Sequence, residues 1–440
     1  MNMHPNGTKN VCKNGAKRCH QNDISFKSSK VLLKSAFSGL FCGRIPTKRA
    51  AMLSESSHLP RLETMLTIRT GSHVHRLITV LGLVGEYPIR SLGLLGNERT
   101  LRSLVNRLSS VQELRNPDTN ERVRVKLLQL TGTGNAKAIR FCKGALPILG
   151  WIHADAYRYY MSTFYNHSFP GDMAHRDRNF RVAEAIGMSL TAGIESRAYL
   201  LPHLQNRAIL RVTPENSAFY LARDFKKINP AEQNKTMFTR IIGAMVYPGG
   251  CYAVYNTRSA AMKWNGMGEF KALHSLIELA RMNAGVQSVD SAILLGVSYD
   301  TALTTLLESE KNRRLELRFD GIYRHIHFVP MNASGIRQLK LLTVPDWNEK
   351  LLDLLFEPDI RSYNRGSMEY DASVGNTCIF SHLDGDIARL IRFREAVQTS
   401  AKHCEVLCFE DQVPFLRTYL GPQITLKIID AAAVEAELMQ

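Results

Sequence analysis

Apolar positions recur three and four residues apart from Val74 onward, so that Val74, Leu77, Ile78 and Leu81 share one face of a predicted helix capped by Ser72 and ended by Gly85. A tight turn at Tyr87-Pro88 leads into a short helix carrying Ile89, Leu92 and Leu95, stopped by Gly96. Asn97 opens a third helix with Leu101, Leu104, Val105 and Leu108 on its apolar side. The period then changes to two. Residues 111–114 and 122–130 read as strands around the turn Asn116-Pro117-Asp118-Thr119-Asn120, and Val123, Val125 and Leu127 alternate with Arg122, Arg124 and Lys126. Short helices followed by a hairpin predict a winged helix-turn-helix domain over residues 61–150. A plain helical cap with a surface hairpin is the alternative.

Residues 151–210 read as a helical connector, with a Tyr-rich helix over 155–167 and an amphipathic one over 177–195. Strand-like runs at 217–221, 241–247 and 251–255 precede a helix over 269–283. Strands at 292–297, 323–329, 377–381, 406–409 and 425–429 then alternate with helices at 300–308, 348–355, 386–399 and 412–420. This alternation makes residues 211–440 a larger α/β domain with a largely parallel or mixed sheet.

Charge divides the chain differently. Residues 1–60 hold 10 Lys and Arg against 2 Asp and Glu, residues 61–150 hold 14 against 6, and residues 151–440 hold 32 against 32, so the net +16 lies wholly in the first third. Clustered cations of this kind favour a polyanion, and double-stranded DNA is the first partner to consider. Residues 1–60 are rich in Asn, Lys, Ser and Gly and read as a basic disordered tail, with Met52 as a second possible start. No run approaches the ~18 apolar residues of a spanning helix, and no leader with a convincing cleavage site is visible, so no membrane association and a cytoplasmic location are expected. Eight scattered cysteines suit a reducing compartment. Cys12, Cys19, His20 and Cys42 match no compact zinc spacing.

The stretch 76–108, with Val84-Gly85-Glu86-Tyr87-Pro88 and Leu95-Gly96-Asn97-Glu98-Arg99, resembles the replication-relaxation proteins of plasmids and integrative conjugative elements. The pairing of Arg240-Ile241-Ile242-Gly243 with Tyr252-Ala253-Val254-Tyr255-Asn256 adds to the resemblance, which rests on order and texture across most of the chain beyond the tail. It implies an N-terminal winged helix, an α/β domain, and a role in replication, DNA relaxation or transfer of a mobile element. Other replication or transfer proteins, or further copies of the chain, are then expected partners.

With the Leu101–Leu108 face turned inward, Arg99, Arg102, Ser103 and Asn106 lie on the opposite side of the third helix and are the expected groove-facing residues. Arg115, Arg122, Arg124 and Lys126 suit phosphate or minor-groove contact by the wing. A solvated helix face is the plain alternative.

Two nuclease-like patterns lie further on. His325-Ile326-His327 falls in a predicted strand, so both imidazoles share a face. The triplet resembles the histidine pair of relaxases and rolling-circle initiators, which implies a metal and a nucleophilic tyrosine such as Tyr363 or Tyr370. Alternating histidines in an ordinary strand are the favoured reading, with no third ligand or tyrosine expected nearby. Glu269-Phe270-Lys271, with Asp224 upstream, matches part of a restriction-type nuclease centre, although Phe270, Leu273, Leu276 and Ile277 place it at a helix start. No phosphate-binding Gly-Lys loop is present, and no cofactor is expected unless the nuclease alternative brings Mg²⁺ or Mn²⁺. The leading expectation is a DNA-binding protein of a mobile element. A metal-dependent nickase and a winged-helix regulator with a C-terminal sensing domain are the alternatives.

Overall fold

The computed structural model describes residues 65–164, 167–169, 172–196, 216–224, 240–262, 273–274, 276–277, 289–311, 318–362, 369–400 and 402–439. The tail, the cysteines at 12, 19 and 42, His20, Glu269, Lys271 and Tyr363 lie outside them. Helix α1 (His73–Val84) is capped by the Ser72 hydroxyl and closes at Gly85, whose φ of 75° suits a residue without a Cβ. A 3-10 segment, Ile89–Leu95, leads to α2 (Glu98–Leu108), where the Asn97 side chain accepts from Thr100 N at 3.0 Å.

The hairpin differs from the expectation. Residues 122–130 do not form one strand: β3 (Gln112–Arg115) pairs with β4 (Arg122–Val125), while β5 (Leu128–Thr131) joins another sheet with β6 (Ala138–Phe141). Leu127 and Leu128 are both fully buried, so the two-residue period breaks between them and the chain changes sheet. A short β1 (Leu66–Thr67) runs parallel to β3. Glu86–Pro88, expected as a turn, is β2, which pairs antiparallel with β6.

After α3 (Ala156–Thr163), the long α4 (Met173–Thr191) packs on α1, β2 and the 3-10 segment and also on the large sheet. That sheet is mixed. Its strands β7 (Glu195–Ser196), β8 (Ala218–Leu221), β9 (Ile241–Tyr247), β10 (Gly250–Arg258), β11 (Ser291–Gly296) and β12 (His325–Pro330) lie side by side in chain order. β7 with β8, β10 with β11, and β11 with β12 are parallel, whereas β8 with β9 and β9 with β10 are antiparallel. Successive residues feed opposite cores: Ile242, Met245, Tyr252 and Val254 join the apolar cluster that also holds the N-terminal helices, while Ile241, Ala244, Cys251 and Ala253 join the other.

On that second side lies α5 (Tyr299–Glu310), and α6 (Ala333–Leu342) and α7 (Trp347–Leu355) follow β12 in the chain. A smaller sheet orders β13 (Ala372–Val374), β14 (Thr377–Ser381), β15 (His403–Cys408) and β16 (Thr425–Ile428), joined by α8 (Ile387–Val397) and α9 (Val413–Leu420) and followed by α10 (Ala431–Leu438). The chain is thus a mixed α/β structure. Among the described residues no helix is long and apolar enough to cross a membrane.

Candidate functional site

Helix α2 buries Leu101, Val105 and Leu108 and exposes Arg99, Arg102, Ser103 and Asn106, so the four expected residues share the outer face. Arg102 is already engaged: its Nε donates to Glu98 Oε1 at 2.8 Å, one helical turn earlier. In the hairpin Arg122, Arg124 and Lys126 are exposed, and Arg122 stands 3.7 Å from Glu113 across the strand pair. Arg115 is only half-buried, and its Nε is enclosed without a hydrogen-bond acceptor. Apart from Arg115, the cations expected on α2 and on the hairpin therefore sit on solvent-facing surfaces of one small unit, with two acidic side chains, Glu98 and Glu113, among them.

Of the nuclease-like set expected at Asp224, Glu269 and Lys271, only Asp224 lies within the described residues. Asp224 is buried and accepts from the Tyr159 hydroxyl at 3.0 Å. Tyr370 is half-buried with the Lys402 ammonium 5.4 Å above its ring. Of the helix expected over 269–283, Leu273, His274, Leu276 and Ile277 are described as helical, with Leu273 and Leu276 buried. That burial fits a helix packing face.

His325 and His327 do point to one side of β12, their rings nearly parallel at 8° and 6.3 Å apart. Where no third ligand and no tyrosine are expected to converge on the pair, two carboxylates lie close to His327, and both histidines make hydrogen bonds within the fold. The turn His382-Leu383-Asp384-Gly385-Asp386, between β14 and α8, lies along the β12 edge, where Phe328 N donates to Gly385 O at 2.9 Å. Gly385 has a φ of 67°, and a Cβ there would stand 2.7 Å from Phe328 O, so the close approach requires glycine. Asp386 takes His325 Nδ1 on Oδ2 at 2.7 Å, and its Oδ1 accepts from Ile326 N, Ala388 N and Arg389 N, which caps α8. His327 Nδ1 stands 3.2 Å from Asp384 O and 3.7 Å from Asp384 Oδ2. Gln338 Nε2 on α6 also donates to Asp384 O, at 2.7 Å.

His327, Asp384 and Asp386 offer ligand atoms all within 4.8 Å of one another. Burial would raise the Asp386 carboxyl, yet the hydrogen bond from His325 and the charges of His327, His325 and Arg389 hold it well below the usual carboxylate range. Asp384 moves upward, because burial and Asp386 outweigh His327 and Arg389. Burial lowers His382 to about 3 despite the opposing charge of Asp386, with Arg389 and His327 adding to the fall. Around this centre Arg389 pairs with Asp371 at 2.6 Å and Arg392 with Glu369 at 2.8 Å. The Asp384-Gly385-Asp386 turn was the signal for this site, since Asp-Gly followed by an apolar helical run marks a turn feeding a capped helix.

Comparison with protein-family models, curated proteins and solved structures finds no match.

Proposed function

We propose that the chain is a DNA-binding protein whose residues 65–142 act as a winged-helix unit, α2 entering the major groove and the β3–β4 hairpin touching the backbone. The observation that carries this reading is the shared exposure of Arg99, Arg102, Ser103 and Asn106 on α2, opposite its buried leucines, beside a hairpin exposing Arg122, Arg124 and Lys126. Arg and Asn are the side chains that read guanine and adenine bidentately, while hairpin cations grip phosphates without reading sequence. A role in replication, relaxation or transfer of a mobile element extends this proposal through the sequence resemblance. The buried histidine–aspartate cluster does not favour a nickase, because His327, Asp384 and Asp386 are 2%, 4% and 0% exposed and a phosphodiester has no approach to them.

The test uses the full chain and duplexes selected from a random pool. Affinity should fall about a thousandfold between ~50 and ~200 mM salt if about six phosphates are neutralised. Arg102→Ala should cost about 1–3 kcal/mol on selected duplexes and little on random ones, whereas Arg124→Ala should weaken both alike. A chain that binds no duplex at low salt sinks the proposal. Equal losses on all duplexes from both variants would make α2 a clamp rather than a reader.

A further inference from the structure

The polar centre between the two sheets carries more buried negative charge than its neighbours balance. Arg389 and Arg392 are engaged by Asp371 and Glu369. Asp386, which accepts three backbone N–H bonds, and Asp384, both at most 4% exposed, have only imidazoles and Arg389 as cationic neighbours, and Arg389 comes only within 4.0 Å of Asp384 Oδ2. Two carboxylates enclosed in this way require either protons or a cation, because an unbalanced buried charge is expensive.

A separate observation concerns His382. Its ring is fully buried, stacked on Phe380 and tilted against Phe415, and neither ring nitrogen has a hydrogen-bond partner. A buried imidazole with both nitrogens unbonded is rare, and in most folds one nitrogen donates to a carbonyl or carboxylate. His382 belongs to the same five-residue turn as Asp384 and Asp386, so an unused nitrogen donor lies within the loop that supplies two carboxylates.

We propose that His327, Asp384 and Asp386 hold one divalent cation of the zinc type, which clamps the β12 edge of the larger sheet to the β14–α8 turn of the smaller one. One imidazole and two carboxylates give zinc three of its four donors, and the unpartnered His382 of the same turn, which lies outside that group, is the candidate for the fourth. Donors around a tetrahedral zinc stand about 3.4 Å apart, so His327, Asp384 and Asp386, already within 4.8 Å of one another, need to contract by about an ångström. His325, which holds Asp386 Oδ2 from outside and is partly exposed, is the positioning residue. Enclosure of all four donors makes the ion structural, since closed sites leave no position for a substrate. The proposal is independent of DNA binding.

The experiment takes the full-length protein, dialyses it against EDTA, and titrates Zn²⁺ while metal content per chain and melting temperature are measured. One tightly held equivalent per chain is expected, with melting raised by about 3 °C at a hundredfold excess over the dissociation constant. Asp384→Asn and His327→Gln should each lose the equivalent, while a triple Cys12→Ser, Cys19→Ser, Cys42→Ser variant should keep it. The chelation arm needs no variant and stands even if a substituted chain misfolds. A wild-type chain that takes up no equivalent, or whose melting ignores both EDTA and Zn²⁺, overturns the proposal. So does an equivalent that survives both cluster variants or that disappears with the cysteines.

Discussion

Cys251 shows at the level of one residue how position in the sheet sets chemistry. It lies in β10, 4% exposed, and burial pushes its thiol from the ordinary 9.0 up to about 12. Below pH 9 the thiol is protonated in both folded and unfolded chains and costs nothing. As pH rises from 9 towards 12 the unfolded chain loses the proton while the folded one keeps it, so stability falls, by at most about 1.4 kcal/mol per pH unit from this thiol. Cys408, also pushed up to about 12, acts in the same direction. Cys251→Ala should therefore flatten the alkaline loss of stability in urea melts, whatever it does to the absolute value near neutral pH. Equal alkaline slopes for wild type and variant would contradict the assignment. The identity of a cysteine was visible in the sequence, whereas its inertness comes from the apolar neighbours that the fold supplies.

At the scale of elements, α4 is the joint of the molecule. Glu184 on this helix is buried, accepts from Ser91 Oγ at 2.7 Å on one side, and takes Arg258 Nε at 2.8 Å and Asn256 Nδ2 at 3.2 Å on the other. Gly187 lets the helix sit close to the N-terminal unit: an added Cβ would lie 2.6 Å from Tyr87 Oη and 3.1 Å from Leu95 Cδ2. Tyr87 is fully buried and its hydroxyl donates to Ser91 O at 2.9 Å, so it has little room to yield. Gly187→Ala gains about 1 kcal/mol of helix propensity and loses about 1–3 kcal/mol to overpacking. The variant should melt below wild type, and a higher melting temperature would show that Tyr87 gives way freely. Local signals located α1, α2, β9 and β14 because caps and periods act within a few residues. They missed β2, since strand pairing of Glu86–Pro88 depends on β6, far along the chain. They missed α6 as well, although Asn332 caps it and Leu339 and Leu342 repeat at helical spacing.

For the whole molecule, the apolar cluster that holds Leu77, Leu101 and Leu108 of the N-terminal unit continues through Ile186 to Tyr252 and Val329 of the larger sheet. The expected boundary near residue 150 thus separates elements that share one core, and a cut there would expose the side of α1 and β2 that α4 covers. Trp151 and Trp347 report on the two parts. In chains keeping one of these tryptophans, with Trp264→Phe, both should unfold at the same denaturant concentration. Clearly separate midpoints would mean that the N-terminal unit is an independent domain. By itself the sequence determined the charge asymmetry, the apolar face of α2, the exposed Arg99 and Arg102 beside it, and the common face of His325 and His327. The first is a matter of composition, the others follow from a repeat of two or of 3.6 residues, and none needs a distant partner. Only the tertiary structure decided that the turn from His382 to Asp386 lies along the β12 edge, bringing Asp384 and Asp386 to the histidines. Which strand edge meets which loop depends on packing between sheets, and neighbours along the chain carry no record of that choice.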